Sequence, residues 1–243
     1  MADLYSNNGD GHIQGSQGAT WAGARDDSTG DSPIIVNSSY SSFTAVSRFA
    51  SRGGGNTYRI TRSFMYFDTS GITSLICSAT IKIRGATGND GSVIAVKSTA
   101  FGGDGGTTLA AADLDAITGY SAGSSLAGAA TVYGPQILTS SWNTSDYNDM
   151  AGSSDLLTDM KNDDVVIICF MDYTNDYLNS AVSSNVTYNI GAYYTNYTGT
   201  SRDPYIDYTI ATGYANTVNG VAAANIGKVN GVATASIEKV NGV

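Results

Sequence analysis

The sequence predicts an all-β protein: a β-sandwich or jelly roll with a few short helices, followed by C-terminal β-hairpin repeats. Three observations predict it. Charged residues make up 14 % of the 243-residue chain, with 29 Gly and 16 Tyr, against roughly 25 % charge in soluble domains generally. Tyr and Thr suit pleated, half-buried strands, and Gly and Asn suit tight turns. Short apolar runs alternate with period two, and an Asn-Gly dipeptide flanked by valines recurs near the end. The hydrophobic share of 42 % excludes a disordered chain, and the length suffices to bury a sizeable core.

The elements follow in order. The Gly-rich start holds Asp10 and His12, the sole histidine, which reads as a surface-loop residue. Residues 62–67 are aromatic-rich and read as a strand. Residues 79–84 place Ala79, Ile81 and Ile83 on one face and Thr80, Lys82 and Arg84 on the other, a strand with one wet face. Residues 92–97, 192–194 and 205–210 are further strands. Residues 165–171 are almost continuously apolar, which predicts a central strand covered on both faces. Gly-rich clusters at 52–56 and 102–106 read as loops. Two short helices are expected, over 108–117 with Thr107 or Thr108 as cap, and over 153–160 with a serine cap and Asp155 near the positive helix end. Cys77 and Cys169 each sit in an apolar run and read as buried thiols, with pairing between them left open.

From Val218 an eleven-residue unit, VNGVAAANIGK then VNGVATASIEK, repeats before a last VNGV. Asn-Gly in a two-residue type I′ turn makes each flanking valine pair face across a hairpin. Val229 then opposes Val232. The units differ at Ala223/Thr234, Asn225/Ser236 and Gly227/Glu238, which are alternate positions and so share a face. Ala222, Ala224 and Ile226, with Ala233, Ala235 and Ile237, lie on the other face, which is small, apolar and unchanging. An isolated hairpin is marginal in water, so this face needs a cover: sister chains, another protein, or the chain's own body. The expected division is a sandwich over 1–212 and an oligomerisation or docking segment over 213–243.

The chain carries −9 formal charge, with 12 basic residues against 21 acidic, which disfavours nucleic-acid partners. No run of eighteen apolar residues offers a membrane span. Met1 to Ser6 has neither basic nor apolar leader character, so no signal peptide is expected there. No catalytic grouping or phosphate-binding loop stands out, so no enzymatic activity is expected. No cofactor is expected either. Calcium is the one ion for which the turns offer oxygen ligands: Asp10, Asp26 and Asp27 form the first candidate group, and Asp172, Asn175 and Asp176 the second. Turn chemistry is the plain alternative. Trp21, Trp142, Tyr193 and Tyr194 are candidates for stacking on sugar rings, against core packing as the alternative.

The repeat unit resembles one found at the ends of phage and environmental-virus structural proteins. Residues 62–70 (RSFMYFDTS) and 78–83 (SATIKI), with the closing 203–209 (DPYIDYT), resemble β-sandwich modules of the DNRLRE kind, related in shape to carbohydrate-binding jelly rolls. The resemblance implies a virion structural protein: a capsid decoration, head fibre or tail-fibre component on the particle surface. It would be made in the host cytoplasm. The chain length favours decoration or a short fibre. Its expected partners are itself, as a homo-oligomer with a trimer favoured, other virion proteins, and a host surface glycan. A carbohydrate-binding adhesion module is the second reading, and a glycan depolymerase the third.

Overall fold

The computed structural model describes residues 2–28, 34–35, 40–52, 55–183, 185–195, 199–210, 227–229 and 232–233. The strands are β1 (Ala2–Tyr5), β2 (Gly11–Gln14), β3 (Ile34–Ile35), β4 (Tyr40–Arg52), β5 (Gly55–Asp68), β6 (Ile76–Asn89) and β7 (Ser92–Lys97). They continue with β8 (Val132–Leu138), β9 (Tyr147–Ala151), β10 (Val165–Met171), β11 (Thr187–Tyr193), β12 (Tyr205–Ile210), β13 (Lys228–Val229) and β14 (Val232–Ala233). The helices are α1 (Trp21–Arg25) and α2 (Ser154–Asn162).

One antiparallel path, β1-β12-β6-β11-β4-β5-β10-β7-β8, carries most of the strands, with β2 beside β5 and β9 beside β6. The path turns over on β6. Residues 76–82 of β6 pair with β12, its middle pairs with β9, and its end, Gly85 to Gly88, pairs with β11. At this corner a Cβ on Gly85 would meet the Asn143 carbonyl oxygen at 2.0 Å. Only glycine lets that loop close against the strand. The result is an all-β sandwich: a small layer of β1, β12, β6 and β9 over a large layer of β11, β4, β5, β10, β7 and β8.

The core between the layers joins Ile81 and Ile83 of β6, Met150 of β9 and Ile206 of β12 to Met65, Phe67, Val166, Ile168 and Phe170 of the large layer. A second core lies on the other face of the large layer. There Ile60, Phe64, Val96, Ile167, Cys169 and Met171 pack against Ile13, Trp21, Phe101, Leu114 and Leu126. These come from β2, α1 and the long connection between β7 and β8. β10 is therefore covered on both faces, as its unbroken apolar run predicts.

The alternation of β6 also holds: Ala79, Ile81 and Ile83 are buried and their neighbours half-buried. Ser153 caps α2, its hydroxyl accepting from the Leu156 amide at 3.2 Å, with Asp155 in the first turn.

Four expectations need correction. The helix expected over 108–117 is a single 3₁₀ turn, Ala111–Asp115. Its start is satisfied by Asp113, whose carboxylate accepts from the Ala110 amide at 3.0 Å, not by Thr107 or Thr108. The loop expected over 52–56 is largely strand, because Arg52 pairs with Gly55 and Ser51 with Asn56. Cys77 is exposed while Cys169 is buried, and both thiols are free. Cys77 sits where β6 projects past the core, and burial pushes the Cys169 thiol far up. His12 lies in β2, 4 % exposed, paired across the ladder to Ser63 of β5. Burial pulls its imidazole down to about 4.

In the repeat, β13 pairs with β14 with Val229 opposite Val232 and Lys228 opposite Ala233, the register expected of an Asn-Gly turn. Ala222, Ala224, Ile226, Ala235 and Ile237 lie outside the described residues.

Candidate functional site

The aromatic residues singled out for sugar stacking do not form a surface platform. Trp21 is buried at the start of α1, its indole donating to Asn179 Oδ1 at 3.0 Å, with its ring edge-on to Tyr58. Trp142 is buried in the core between the layers and donates to the Thr87 carbonyl at 3.0 Å. Tyr194 is fully buried in the same core, with its hydroxyl 2.7 Å from Ser63 Oγ. A sugar needs an open ring face, and these three are closed. Tyr193 is half-buried and held by Arg202, which donates to its hydroxyl at 2.7 Å and lies 4.7 Å from the ring centroid.

The calcium candidates are drawn to different partners. Asp10 is buried, and its Oδ2 accepts from Thr195 Oγ1 at 2.6 Å, the Thr195 amide at 3.0 Å and Ser6 Oγ at 3.2 Å. Asp26 accepts from Arg25 Nη1 at 2.8 Å and from the Gly123 amide at 2.9 Å. Asp27 accepts from the Ser16 amide at 3.1 Å. Among the described residues no group of three or more acidic, His or Cys side chains could hold a metal. The first group is thus three separate structural carboxylates.

Of the second candidate group, Asp172 accepts from Ser92 Oγ at 2.6 Å, Asn175 donates to the Ser180 carbonyl at 2.8 Å, and only Asp176 joins a buried ionic knot. Arg62 points into the second core between Ile60 and Phe64 on β5 and is fully buried. Its guanidinium grips Asp176 with two bonds, of 2.7 and 2.8 Å, and donates to Asp115 at 2.7 Å and the Leu114 carbonyl at 2.8 Å. Arg25, also fully buried, donates to the Asp176 carbonyl at 2.8 Å and the Ser124 carbonyl at 2.9 Å. The Tyr120 ring stands within 5.5 Å of both guanidinium carbons. This knot ties the segments around 115, 124 and 176 to the sheet. Buried charges persist only when paired and fully hydrogen-bonded in this way. One signal for it stood in the sequence: an arginine at a core-facing position of an otherwise apolar alternation.

Two of the surface recesses among the described residues have polar linings. One, of about 530 Å³, lies beside the ends of β7 and β10 and is lined by Lys97, Asp104, Tyr133, Asp163 and Asp164 among others. Lys97 Nζ donates to Asp159 at 2.9 Å and lies 3.5 Å from Asp163, while the Tyr133 hydroxyl donates to the same Asp159 oxygen at 2.5 Å. Burial pulls the Lys97 ammonium down, but Asp159 and Asp163 outweigh it and leave it above the usual lysine value. These groups satisfy one another. The other recess, of about 290 Å³, lies on the β4–β5 ribbon and is lined by Gln17, Arg48, Ala50, Thr57 and Arg59. No sequence pattern pointed to it, because its residues come from three separate segments.

No protein-family model matches the chain, and no curated protein matches it in sequence.

Proposed function

We propose that the chain is a structural protein of a virus particle, displayed on the particle surface and held there by its C-terminal repeat. The observation that carries this reading is the repeat hairpin. Its valines pair in the Asn-Gly register, and Val232 is half exposed in the single chain. A short two-stranded hairpin does not persist in water by itself, and an apolar one left open invites strand addition. The unit recurs with its small apolar face unchanged, as a contact repeated along a partner requires. Sister copies of the chain, in a trimer, are the cover we favour, and another virion protein is the second. The sandwich supports the reading from the other side. Each face of its large sheet has its own core, which suits a stiff display module. No chemistry is needed for this role; the repeat works by strand pairing and apolar burial.

Mass in solution tests it, by light scattering on the full chain and on a chain ending at residue 212. The full chain should be oligomeric, or dock on a purified particle that lacks it. The shortened chain should be monomeric, fail to dock, and keep the β-rich circular dichroism of the full chain. Unchanged assembly after the truncation would sink the proposal.

A further inference from the structure

Strand β1 stands at the end of the sheet path, and among the described residues it pairs with β12 alone. Its other edge is an open template for a further strand. Across the ladder Asp3 lies directly opposite Asp207, and Tyr5 opposite Tyr205. Directly opposed residues hold their Cβ atoms roughly 5 Å apart, and like charges so placed repel. Leu4 and Ile206, the pair between them, turn to the core between the layers. The two aspartates and two tyrosines therefore share the outward face. There the tyrosine rings lie 5.4 Å apart, and Asp3 and Tyr5 are exposed.

The cations of this face are engaged by other aspartates. Lys82 donates to both oxygens of Asp149, at 2.7 and 2.8 Å, and Asp207 acts on it more weakly. Arg84 donates to Asp146 at 3.2 Å. Among the described residues neither Asp3 nor Asp207 forms an ion pair, and Asp207 Oδ1 is shut off from water with no hydrogen-bond partner. A cation brought alongside would offset the repulsion. The chain, of net charge −9, has few to offer, and its C-terminal repeat is the exception. Each full unit closes on Ile-x-Lys, at 226–228 and 237–239, and Glu238 is the one acid over 213–243. Lys228 is exposed in β13, opposite Ala233 on one edge of that strand, and forms no ion pair among the described residues.

We propose that β1 of one copy takes on its open edge the β13 strand of a second copy's repeat, antiparallel, with Lys228 beside Asp3 and Asp207. The inference rests on the reading of the repeat as the contact element, and it names the surface that a sister copy offers. Side chains alternate with period two. The register that sets Lys228 at Asp3 therefore brings Ile226, two residues earlier in the sequence, to Tyr5. Cation then meets carboxylate, and apolar side chain meets ring. Backbone hydrogen bonds along the shared edge supply affinity, and the side chains fix the register. This pairing uses one edge of the hairpin and leaves its small apolar face to the sister hairpins.

Light scattering on the full chain over a concentration series tests the inference by charge exchange. Asp3→Lys sets like charge against Lys228 and should raise the dissociation constant of the assembly about tenfold or more. Lys228→Glu with Lys239→Glu should do the same. The three substitutions together should recover part of the lost affinity, because the charges are then exchanged and not removed. Asp3 and Lys228 are exposed, so the variants should keep the wild-type circular dichroism. An Asp3→Lys chain that assembles like the wild type, or a triple variant no tighter than Asp3→Lys alone, would overturn the inference. Assembly lost on truncation at 212 but untouched by Asp3→Lys would mean that the repeat docks on another surface. The inference then fails while the reading of the repeat stands. A full chain that remains monomeric overturns the second copy as the occupant.

Discussion

Asp10 shows how one side chain couples the fold to pH. It is buried and accepts three hydrogen bonds from Ser6 and Thr195. Burial raises its carboxyl from 3.8 to about 6, the hydrogen bonds only partly opposing this, and the charge of Asp203 adds to it. The folded protein therefore binds this proton more tightly than the unfolded chain. By linkage, the stability contributed by Asp10 is greatest below the unfolded pKa near 4 and is lost as pH rises through about 6. The loss amounts to about 3 kcal/mol at most. Asp10→Asn keeps an acceptor for the Thr195 amide and removes the charge. Urea unfolding should show the variant gaining about 1–3 kcal/mol on the wild type at pH 8 relative to pH 4. Parallel pH profiles would reject the argument. None of this was legible in the sequence. Asp10 stands in a run of Gly and Asn that reads as a turn, and its partner Thr195 is far along the chain. The same limit hid the burial of Trp21, Trp142 and Tyr194: a side chain's neighbours come from other segments, and exposure is a property of the assembled layers.

At the level of elements, legibility followed the pattern of burial. β7, β10 and β12 begin and end where their apolar runs do, because each is bounded by polar turns. The run at 79–84 marks the buried middle of β6, and the run at 62–67 marks the C-terminal half of β5; Ile60 is buried too but stands between Arg59 and Thr61, which hide the start of that strand. β4 was missed for a related reason. Its Ser, Thr and Arg positions are spread along thirteen residues, and part of one face is the open arginine recess. β8 and β9 were missed because their outward residues, Pro135, Gln136 and Asp149, are exposed. α2 was read correctly because capping is local: Ser153 and Leu156 are three residues apart, and no distant segment is needed to place them. Ser153→Ala should cost about 1 kcal/mol in thermal or urea unfolding, and Ser153→Asp should restore most of it. An Ala variant as stable as the wild type would show that the packing of Leu156 and Met160 in the core holds the helix without its cap.

At the scale of the whole molecule, the fold is closed by strands from the two ends of the body. β1 pairs with β12, Ala2 beside Tyr208 and Tyr5 beside Tyr205, and the long-range pairing of this kind predicts slow folding among single domains. The all-β class was legible because composition and alternation are summed over many residues. The two-sided cover of the large sheet was legible only at β10. The layer over the second core is irregular chain, tied down by the Arg25–Arg62–Asp176 knot and not by any repeating pattern. The same closure has a mechanical meaning. β12 ends at Ile210 and is flanked by β1 on one side and β6 on the other. A pull applied at Ile210 along the strand axis loads β12 lengthwise. Hydrogen bonds that lie across the direction of force are stretched together, whereas bonds at a strand's end open one after another. Ile210 lies opposite Ile76, at the near end of β6, and Asp90 follows its far end. Handles at 90 and 210 in a single-molecule experiment should therefore require a higher rupture force than handles at 75 and 210, which unzip the pair. Equal forces would refute this reading. Under the proposed anchoring, a strand loaded in shear in this way would hold the sandwich against flow.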